Sequence, residues 1–135
     1  MNCTTITWEK GIINIANSSA FEYIYRMEVQ FEILRLVRNA AKKKVLFLTH
    51  AVRQMSRFDR MISTSEVRQV IEKGELIEDY PDDVRGHSCL ILGHGNNNRP
   101  IHIVCSPKED YLSIITAYLP YPEQWEDNFR KRKEK

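Results

Sequence analysis

The sequence predicts an α+β domain in which N-terminal helices pack on a four-stranded antiparallel β-sheet. The apolar residues recur with a period near 3.6 in the first half of the chain and with a period of 2 after Gly74. Helices and strands therefore occupy separate parts of the chain, which is typical of α+β domains. The predicted strands are joined by short connections, and short connections favour antiparallel neighbours.

The first predicted helix runs from about Arg26 to Lys43. Its apolar residues recur at helical spacing. The basic run Lys42–Lys44 favours a helix end there, because cations interact well with the negative end of the helix dipole. Val45–Leu48 then forms a short, fully apolar strand that leads into the next helix.

Two further helices are predicted between residues 50 and 73. The first, His50–Ile62, has an apolar side and an opposite cationic face, formed by His50, Arg53, Arg57 and Arg60. The second is Thr64–Lys73, and Gly74 follows it where a residue in the left-handed conformation ends a helix. A capping box is predicted at its start, formed by Ser63 and Glu66.

Four strands and a tail helix are predicted in the rest of the chain. The strands are separated by turns rich in proline, glycine, asparagine and aspartate, and are Leu76–Tyr80, Ser88–Leu92, Pro100–Cys105 and Tyr111–Leu119. After them, Trp125 and Phe129 are spaced to dock one face of a tail helix. The basic residues 130–135 are then left in water.

Length and composition predict a single folded domain. The chain has 135 residues, of which 42% are hydrophobic and 28% charged, so it has enough apolar residues for an ordinary core. We assign residues 1–25 to an N-terminal extension, either a strand and turn or a loosely held arm, and residues 26–135 to the domain with its basic tail. The formal charge is only +2, but basic and acidic residues are segregated along the chain. This segregation fits separate surfaces for an anion and for a partner, and it also fits ordinary solvation.

The compartment expected from the sequence is the cytoplasm. Cys3, Cys89 and Cys105 have no paired spacing, so we expect reduced thiols rather than disulfides. The first eleven residues lack the pattern of an export signal, and no apolar stretch is long enough to span a bilayer. We therefore expect no membrane association.

The cationic face suggests an anionic substrate, most plausibly RNA. A guanidinium group matches the geometry of a phosphate, and an imidazole beside such groups can transfer a proton near neutral pH. In metal-independent RNA cleavage, a base removes the 2′-hydroxyl proton, cations stabilise the phosphorane and an acid protonates the leaving oxygen. His50 is the first candidate for a proton role. The alternatives are a solvated amphipathic helix and a structural histidine.

Two residues of the predicted strands and one loop residue are further candidates. His102 alternates with its isoleucine neighbours and so faces the side of the sheet opposite to theirs. Tyr118 on the last strand is placed to bind a phosphate or transfer a proton, and Arg99 is placed to add a phosphate contact. A buried structural histidine, an amphipathic rim tyrosine and an ordinary loop arginine are the alternatives.

No cofactor and no metal are expected. The histidines and cysteines of the second half include suitable ligand atoms for zinc but lack paired ligand spacing. The acidic run Glu75–Asp83 is better explained as protection of a sheet edge than as a cation site. Gly93-His94-Gly95 lacks the other glycines of a phosphate loop and is interpreted as part of a hairpin turn.

Several segments, in order and at characteristic spacing, resemble the domain of unknown function 4258 family. They are Thr49–Met55, Ile62-Ser63, Glu66-Val67, Gly74–Asp83, Arg99–Val104 and Ile115–Tyr118 with Trp125. The resemblance extends over roughly Val29–Arg132. It leaves the first 25 or so residues unassigned.

The resemblance implies a fold and an activity. Members of the family are similar to the RelE, BrnT and MqsR ribonuclease toxins, in which helices precede a twisted antiparallel sheet that carries the active site. Some are encoded beside a small zinc-binding or helix-turn-helix antitoxin. His50 and His102 match the characteristic histidines of the family, and Tyr118 matches its terminal-strand tyrosine. Where many relatives have arginine this chain has Gln54, so the missing cation has to come from Arg53, Arg57 or Arg60.

The expected function is that of a toxin-like, metal-independent endoribonuclease. His50, His102 and Tyr118 are the predicted catalytic residues, and the predicted substrate-binding residues are Arg53, Arg57, Arg60 and Arg99. RNA and an antitoxin protein are the expected partners, and the sequence leaves the oligomeric state open. The alternative is a non-catalytic module that binds nucleic acid or protein.

Overall fold

The contacts within the chain define two units, residues 1–33 and 34–135. The computed structural model describes residues 4–8, 11–15 and 18–134. In the first unit, β1 (Thr4–Trp8) and β2 (Gly11–Ile15) pair antiparallel. Helix α1 (Ser18–Lys43) begins eight residues before the predicted start and contains the boundary between the units.

The second unit is built on a five-stranded sheet with the order β3-β7-β6-β5-β4. The strands are β3 (Val45–Phe47), β4 (Glu75–Tyr80), β5 (Ser88–His94), β6 (Pro100–Pro107) and β7 (Leu112–Tyr118). The last four form the predicted antiparallel meander. The prediction of an α+β domain is confirmed, but a four-stranded sheet is wrong by one strand.

The fifth strand is β3, which pairs parallel to β7 with Phe47 opposite Ile114. The sequence does predict this short strand, but gives it no partner. Parallel pairing requires a long crossover connection, which here comprises the helices and strands between β3 and β7. Such a long-range pairing leaves no sign in the local pattern of a three-residue strand.

Helix α2 (Thr49–Met55) is shorter than the predicted helix over His50–Ile62. The amide of Ser56 donates the last helical hydrogen bond, and a tight turn follows that ends at Met61, whose φ is 50°. The cationic face is therefore divided. His50 and Arg53 lie on the helix, whereas Arg57 and Arg60 lie on the turn.

Helix α3 (Thr64–Lys73) has its predicted bounds and capping box. The amide of Glu66 donates to Ser63 Oγ at 3.2 Å, and the Ser63 amide donates to Glu66 Oε1 at 3.1 Å. Gly74 follows the helix but is extended, with φ of −74°, so the predicted left-handed conformation is wrong. Close packing explains the glycine, because a Cβ atom would lie 2.5 Å from the Val70 carbonyl oxygen.

One face of the sheet forms the core against α3. Side chains of directly opposed residues share a face, so Ile91, Ile103 and Ala117 lie together on this side. All three are fully buried, as is Val67 of α3. The last turns of α1 are attached to α3 by Arg38, whose guanidinium donates to the carbonyls that end α3.

The chain after β7 crosses the opposite face of the sheet as a strap, defined here as residues 120–134. It contains two short strands in place of the predicted tail helix, β8 (Trp125–Glu126) and β9 (Lys131–Arg132), which pair antiparallel. The residues between them, Asp127, Asn128 and Phe129, all have positive φ, which a helix does not allow. Trp125 is nevertheless buried, as the sequence predicts.

In the described part of the chain, no helix combines the length and apolar character needed to cross a bilayer.

Candidate functional site around Tyr118

His102 lies in the middle of the strap-covered face, on β6, directly opposite Tyr118 on β7. Its side chain has no exposed surface. The Trp125 ring packs edge-on against the imidazole, with 4.4 Å between ring centroids. The two ring nitrogens each have a partner. Nδ1 lies 3.2 Å from the Tyr118 hydroxyl, and Nε2 lies 2.9 Å from the Phe129 carbonyl oxygen.

These partners assign the proton positions on His102. A carbonyl oxygen only accepts, so Nε2 carries a hydrogen and donates it to Phe129. Burial lowers the pKa of His102 to about 4, although the Phe129 carbonyl and the Glu78 carboxylate act in the opposite direction. The imidazole is therefore neutral at neutral pH. Nδ1 carries no hydrogen and accepts one from the Tyr118 hydroxyl.

Tyr118 is partly exposed, in contrast to the fully buried His102. Burial raises the pKa of Tyr118, and Glu78 raises it further. The guanidinium groups of Arg132 and Arg60 lower the same pKa, which shows that both positive charges act on this hydroxyl. Tyr118 is consequently a protonated hydroxyl on which two positive charges and one negative charge act.

Arg60 reaches this site from the turn between α2 and α3. Only 9% of the residue is exposed, and its Nη1 donates to Gln54 Oε1 at 2.6 Å. Gln54 lies on α2, one helical turn after His50. The amide side chain of Gln54 thus holds the Arg60 guanidinium in place. Position 54 is the one at which many relatives are expected to carry an arginine.

Arg132 reaches the site from the strap. Its Nε and Nη2 atoms donate to the two carboxylate oxygens of Glu78 at 2.9 and 3.1 Å, and its guanidinium lies 4.7 Å from the centre of the Trp125 ring. The Tyr80 hydroxyl also donates to Glu78. Burial raises the pKa of Glu78, but the hydrogen bonds from Arg132 and Tyr80 outweigh it and lower the pKa overall. Glu78 is therefore a carboxylate that anchors the strap.

His50 and Arg53 are exposed on α2 and make no hydrogen bond or ion pair with any described residue. Helix α2 starts two residues after Phe47, which is level with Ile114, so the helix runs beside the last residues of β7. Contacts between α2 and β7 agree with this placement. These two side chains are thus available to a ligand beside the Tyr118 end of β7.

The remaining predicted phosphate ligands have partners within the protein. Arg57 is exposed and pairs with Asp59 at 3.3 Å. Arg99 donates to both carboxylate oxygens of Glu66, and also to the carbonyls of Arg60 and Met61. The Arg99 guanidinium therefore fixes the turn that carries Arg60, and in this structure it is not directed at a ligand.

The principal cavity, of about 330 Å³, lies between α1, β3 and α3. It has an apolar floor that includes Val67 and Ile71, and charged residues at its rim. None of the predicted site residues lines it, and we assign the candidate site from the Tyr118 cluster instead, because that is where the titratable groups converge.

Comparison with known proteins identifies one matching family model. Residues 47–119 match the model described as Domain of unknown function (DUF4258), which covers more than half of the chain. The chain belongs to the DUF4258 family. No curated protein and no solved structure matches the chain.

Within this DUF4258 chain, the matched region contributes most of the Tyr118 cluster. It contains Gln54, Arg60, Glu78, His102 and Tyr118, whereas Trp125 and Arg132 lie in the strap beyond it. Glu78 and Arg132 were not predicted as site residues from the sequence. Glu78 was expected to protect a sheet edge, and Arg132 to lie in a solvated tail. The ion pair between these residues joins β4 to a segment 54 positions away, and no local pattern signals such a contact.

The cluster offers acid–base groups and cations but no group of metal ligands. In the described segments, no three histidine, cysteine, aspartate or glutamate side chains are grouped closely enough to hold a metal ion. What the DUF4258 site presents is a tyrosine hydroxyl that donates to a neutral imidazole and that the charges of Arg60 and Arg132 affect.

Proposed function

We propose that this DUF4258 protein is a toxin-like, metal-independent endoribonuclease that acts at the Tyr118 hydroxyl. The observation that carries the proposal is the hydrogen bond from Tyr118 to the neutral Nδ1 of His102. The positive charges of Arg60 and Arg132 and the negative charge of Glu78 all act on this hydroxyl. A hydroxyl that is linked to a proton acceptor and feels the charge of Arg60 suits attack by a ribose 2′-oxygen on phosphorus.

The hydrogen-bond direction supports the following roles in the proposed reaction. Because Nδ1 of His102 is free of hydrogen, the Tyr118–His102 pair can accept a proton but cannot release one from that nitrogen. Tyr118 therefore accepts the 2′-hydroxyl proton while its own proton moves to His102. The exposed imidazole of His50, in its protonated form, is left as the donor to the leaving 5′-oxygen.

The proton transfers balance, because the Tyr118–His102 pair takes up one proton and His50 releases one. The 2′-oxygen forms a bond to phosphorus, the bond from phosphorus to the 5′-oxygen breaks, and the products are a 2′,3′-cyclic phosphate and a 5′-hydroxyl. Arg60 stabilises the negative charge on the phosphorane and Arg53 contacts a neighbouring phosphate, whereas the charge of Arg132 is balanced by its ion pair with Glu78. The low pKa of His102 makes its imidazole a weak base in this reaction. The Glu78 carboxylate raises that pKa and so makes His102 a somewhat stronger base.

The proposal includes an antitoxin protein as a partner and the cytoplasm as the compartment. A ribonuclease that cleaves cellular RNA has to be neutralised until it is needed. Cys89 and Cys105 are free thiols, which agrees with a reducing compartment.

The test is RNA cleavage in the presence of EDTA. Purified protein is expected to produce fragments with 2′,3′-cyclic phosphate ends, and the Arg60→Gln variant should cleave about 100-fold more slowly, as for loss of one group that stabilises transition-state charge. Arg85→Gln is the matched control, because Arg85 lies in the turn between β4 and β5 and pairs with Asp83. Intact RNA in every reaction with folded protein would contradict the proposal.

A second candidate is an RNA-binding module without activity. It is favoured by the complete burial of His102 and by the hydrogen bond that ties its Nε2 to the strap. Binding that weakens steeply with salt, without any product, is the expected result for such a module.

A further inference from the structure

The turn between α2 and α3 presents an aromatic ring to solvent. Phe58 is 96% exposed. Exposed apolar residues are common, but a phenylalanine usually buries at least one face of its ring, because each buried aromatic side chain stabilises a fold substantially. Nothing in the described part of the chain covers this ring.

The turn that carries Phe58 is held by several hydrogen bonds. The amides of Arg60 and Met61 both donate to the Arg57 carbonyl at 2.9 Å. Arg99 donates to the carbonyls of Arg60 and Met61 at 2.6 and 3.0 Å. The exposure of Phe58 is therefore a property of a fixed turn and not of a loose loop.

Arg99 is itself anchored by a buried group. It forms an ion pair with Glu66, whose side chain is only 2% exposed, at 2.9 Å. Glu66 also accepts hydrogen bonds from the amides of Ser63 and Asn96. A buried carboxylate thus fixes, through one guanidinium, the segment at whose tip the Phe58 ring stands.

The surroundings of the ring are cationic. Arg57 precedes it and pairs with Asp59, which follows the ring. Arg53 lies on the preceding helix, and Arg60 follows in the same turn and donates to Gln54, so the three arginines outnumber the one carboxylate. An exposed ring among arginines is the combination with which proteins hold single-stranded nucleic acid, since bases stack on the ring and phosphates bind the cations.

We propose that Phe58 is a base-stacking platform and that the ligand of this protein is single-stranded RNA. This inference rests on the proposed function and specifies its substrate class. A base next to the scissile phosphate stacks on Phe58 while the phosphate lies at Arg60 and Tyr118. In a duplex the faces of the bases are already stacked on each other, so an intact double strand cannot use the platform.

The experiment measures binding of a fluorescent 2′-O-methyl RNA of about 12 nucleotides, which a ribonuclease of this mechanism cannot cleave. Phe58→Ala is expected to weaken binding roughly 5- to 100-fold, the range found when a stacking ring is removed. Phe58→Trp should retain binding, because it keeps an aromatic face. Val84→Ala is the matched control, since Val84 is also fully exposed but lies in the turn between β4 and β5.

An abasic strand of the same length separates stacking from charge. Wild type and Phe58→Ala are expected to bind it equally, since both keep the cations. Equal binding of the 2′-O-methyl RNA by wild type and Phe58→Ala would overturn the inference, whether or not RNA is cleaved. A dimer in sedimentation experiments that Phe58→Ala converts to a monomer would also overturn it, because Phe58 would then serve an interface between copies.

The two proposals can fail separately. Weaker RNA binding by Phe58→Ala without any cleavage by wild type supports the platform and contradicts the ribonuclease. Cleavage by wild type together with unchanged binding by Phe58→Ala supports the ribonuclease and contradicts the platform.

Discussion

Arg99 and Glu66 show how a single ion pair positions the candidate site. Arg99 was predicted to bind phosphate, but its guanidinium joins Glu66 to the carbonyls of Arg60 and Met61. Burial raises the pKa of Glu66, yet the hydrogen bonds from Arg99, Ser63 and Asn96 outweigh it and lower the pKa to about 2. The charged form of this carboxylate is therefore what holds the turn.

Replacing Glu66 tests this structural role. Glu66→Gln is expected to lower the free energy of unfolding at neutral pH by about 3 kcal/mol, because it leaves the Arg99 guanidinium without its buried partner. Urea denaturation monitored by circular dichroism measures the change. Glu75→Gln is the control, since the ion pair between Glu75 and Arg130 is exposed and should contribute about 0–1 kcal/mol.

The contribution of Glu66 to the free energy of unfolding should depend on pH. The pKa of Glu66 is lower in the folded protein than its ordinary value of 4.5. Its stabilisation is thus present above pH 4.5 and is lost as the pH falls toward about 2. Wild type and Glu66→Gln should accordingly become more alike in stability at low pH; a difference that stays constant from pH 7 to 2 would contradict this role for the charge.

At the level of residues, the alternating pattern of β6 was enough to place His102 on the face opposite Ile101 and Ile103. It could not show that His102 is buried. The cover consists of Trp125 and the Phe129 carbonyl, which lie 23 and 27 residues further along the chain. Burial on the outer face of a sheet depends on such distant segments, and the period of a strand reports only which face a side chain is on.

Among the elements, the strap has the strongest influence on the site. It covers His102 with Trp125, accepts the Nε2 hydrogen at Phe129 and brings Arg132 to Glu78. The sequence predicts that Trp125 docks but assigns it to a helix, because Trp125 and Phe129 are four residues apart. Three consecutive residues with positive φ separate them instead, and propensity alone does not reveal this turn.

Opening the strap should change the titration of His102. Trp125→Ala is expected to raise the pKa of His102 from about 4 toward its ordinary value of 6.5, because water then reaches the ring and solvates the charged form. Long-range ¹H–¹⁵N NMR of the imidazoles follows the titration, and a His102→Gln sample assigns the signal.

Tyr121→Ala is the control for that experiment, because Tyr121 lies in the same strap but is 48% exposed. It should leave the pKa of His102 unchanged. Wild-type titration of His102 near 6.5, or the same low value in Trp125→Ala, would show that the strap does not control the environment of this histidine.

Helix α2 marks another limit of local patterns. A helical wheel groups His50, Arg53, Arg57 and Arg60 on one face, although only His50 and Arg53 are helical. The turn at residues 56–61 instead carries Arg60 to Gln54 and toward Tyr118. The helical wheel grouped Arg60 with the other cations, but it could not predict the turn that brings Arg60 to Gln54.

For the whole molecule, the change in hydrophobic period along the chain, from about 3.6 before Gly74 to 2 after it, was sufficient to predict the α+β class. It placed α3 and the four-stranded meander correctly, because each has strong local signals. The parallel pairing of β3, the two-strand strap and the hairpin of β1 and β2 were not predicted in these forms. The first two depend on contacts between distant segments.

Family membership and the structure together direct attention to one hydroxyl. The DUF4258 match includes Tyr118, and in the structure the hydroxyl of this residue donates to the His102 imidazole. If the molecule is a ribonuclease, removing this one oxygen should stop the reaction without disturbing the fold, because the ring and its packing remain.

The most direct test is the rate of RNA cleavage by wild type and Tyr118→Phe, measured with protein in excess over RNA and with EDTA present. The account predicts that Tyr118→Phe cleaves at least about 100-fold more slowly, while its circular dichroism spectrum and its binding of uncleavable RNA remain those of wild type. Equal cleavage rates for the two proteins would contradict the assignment of the reaction to Tyr118.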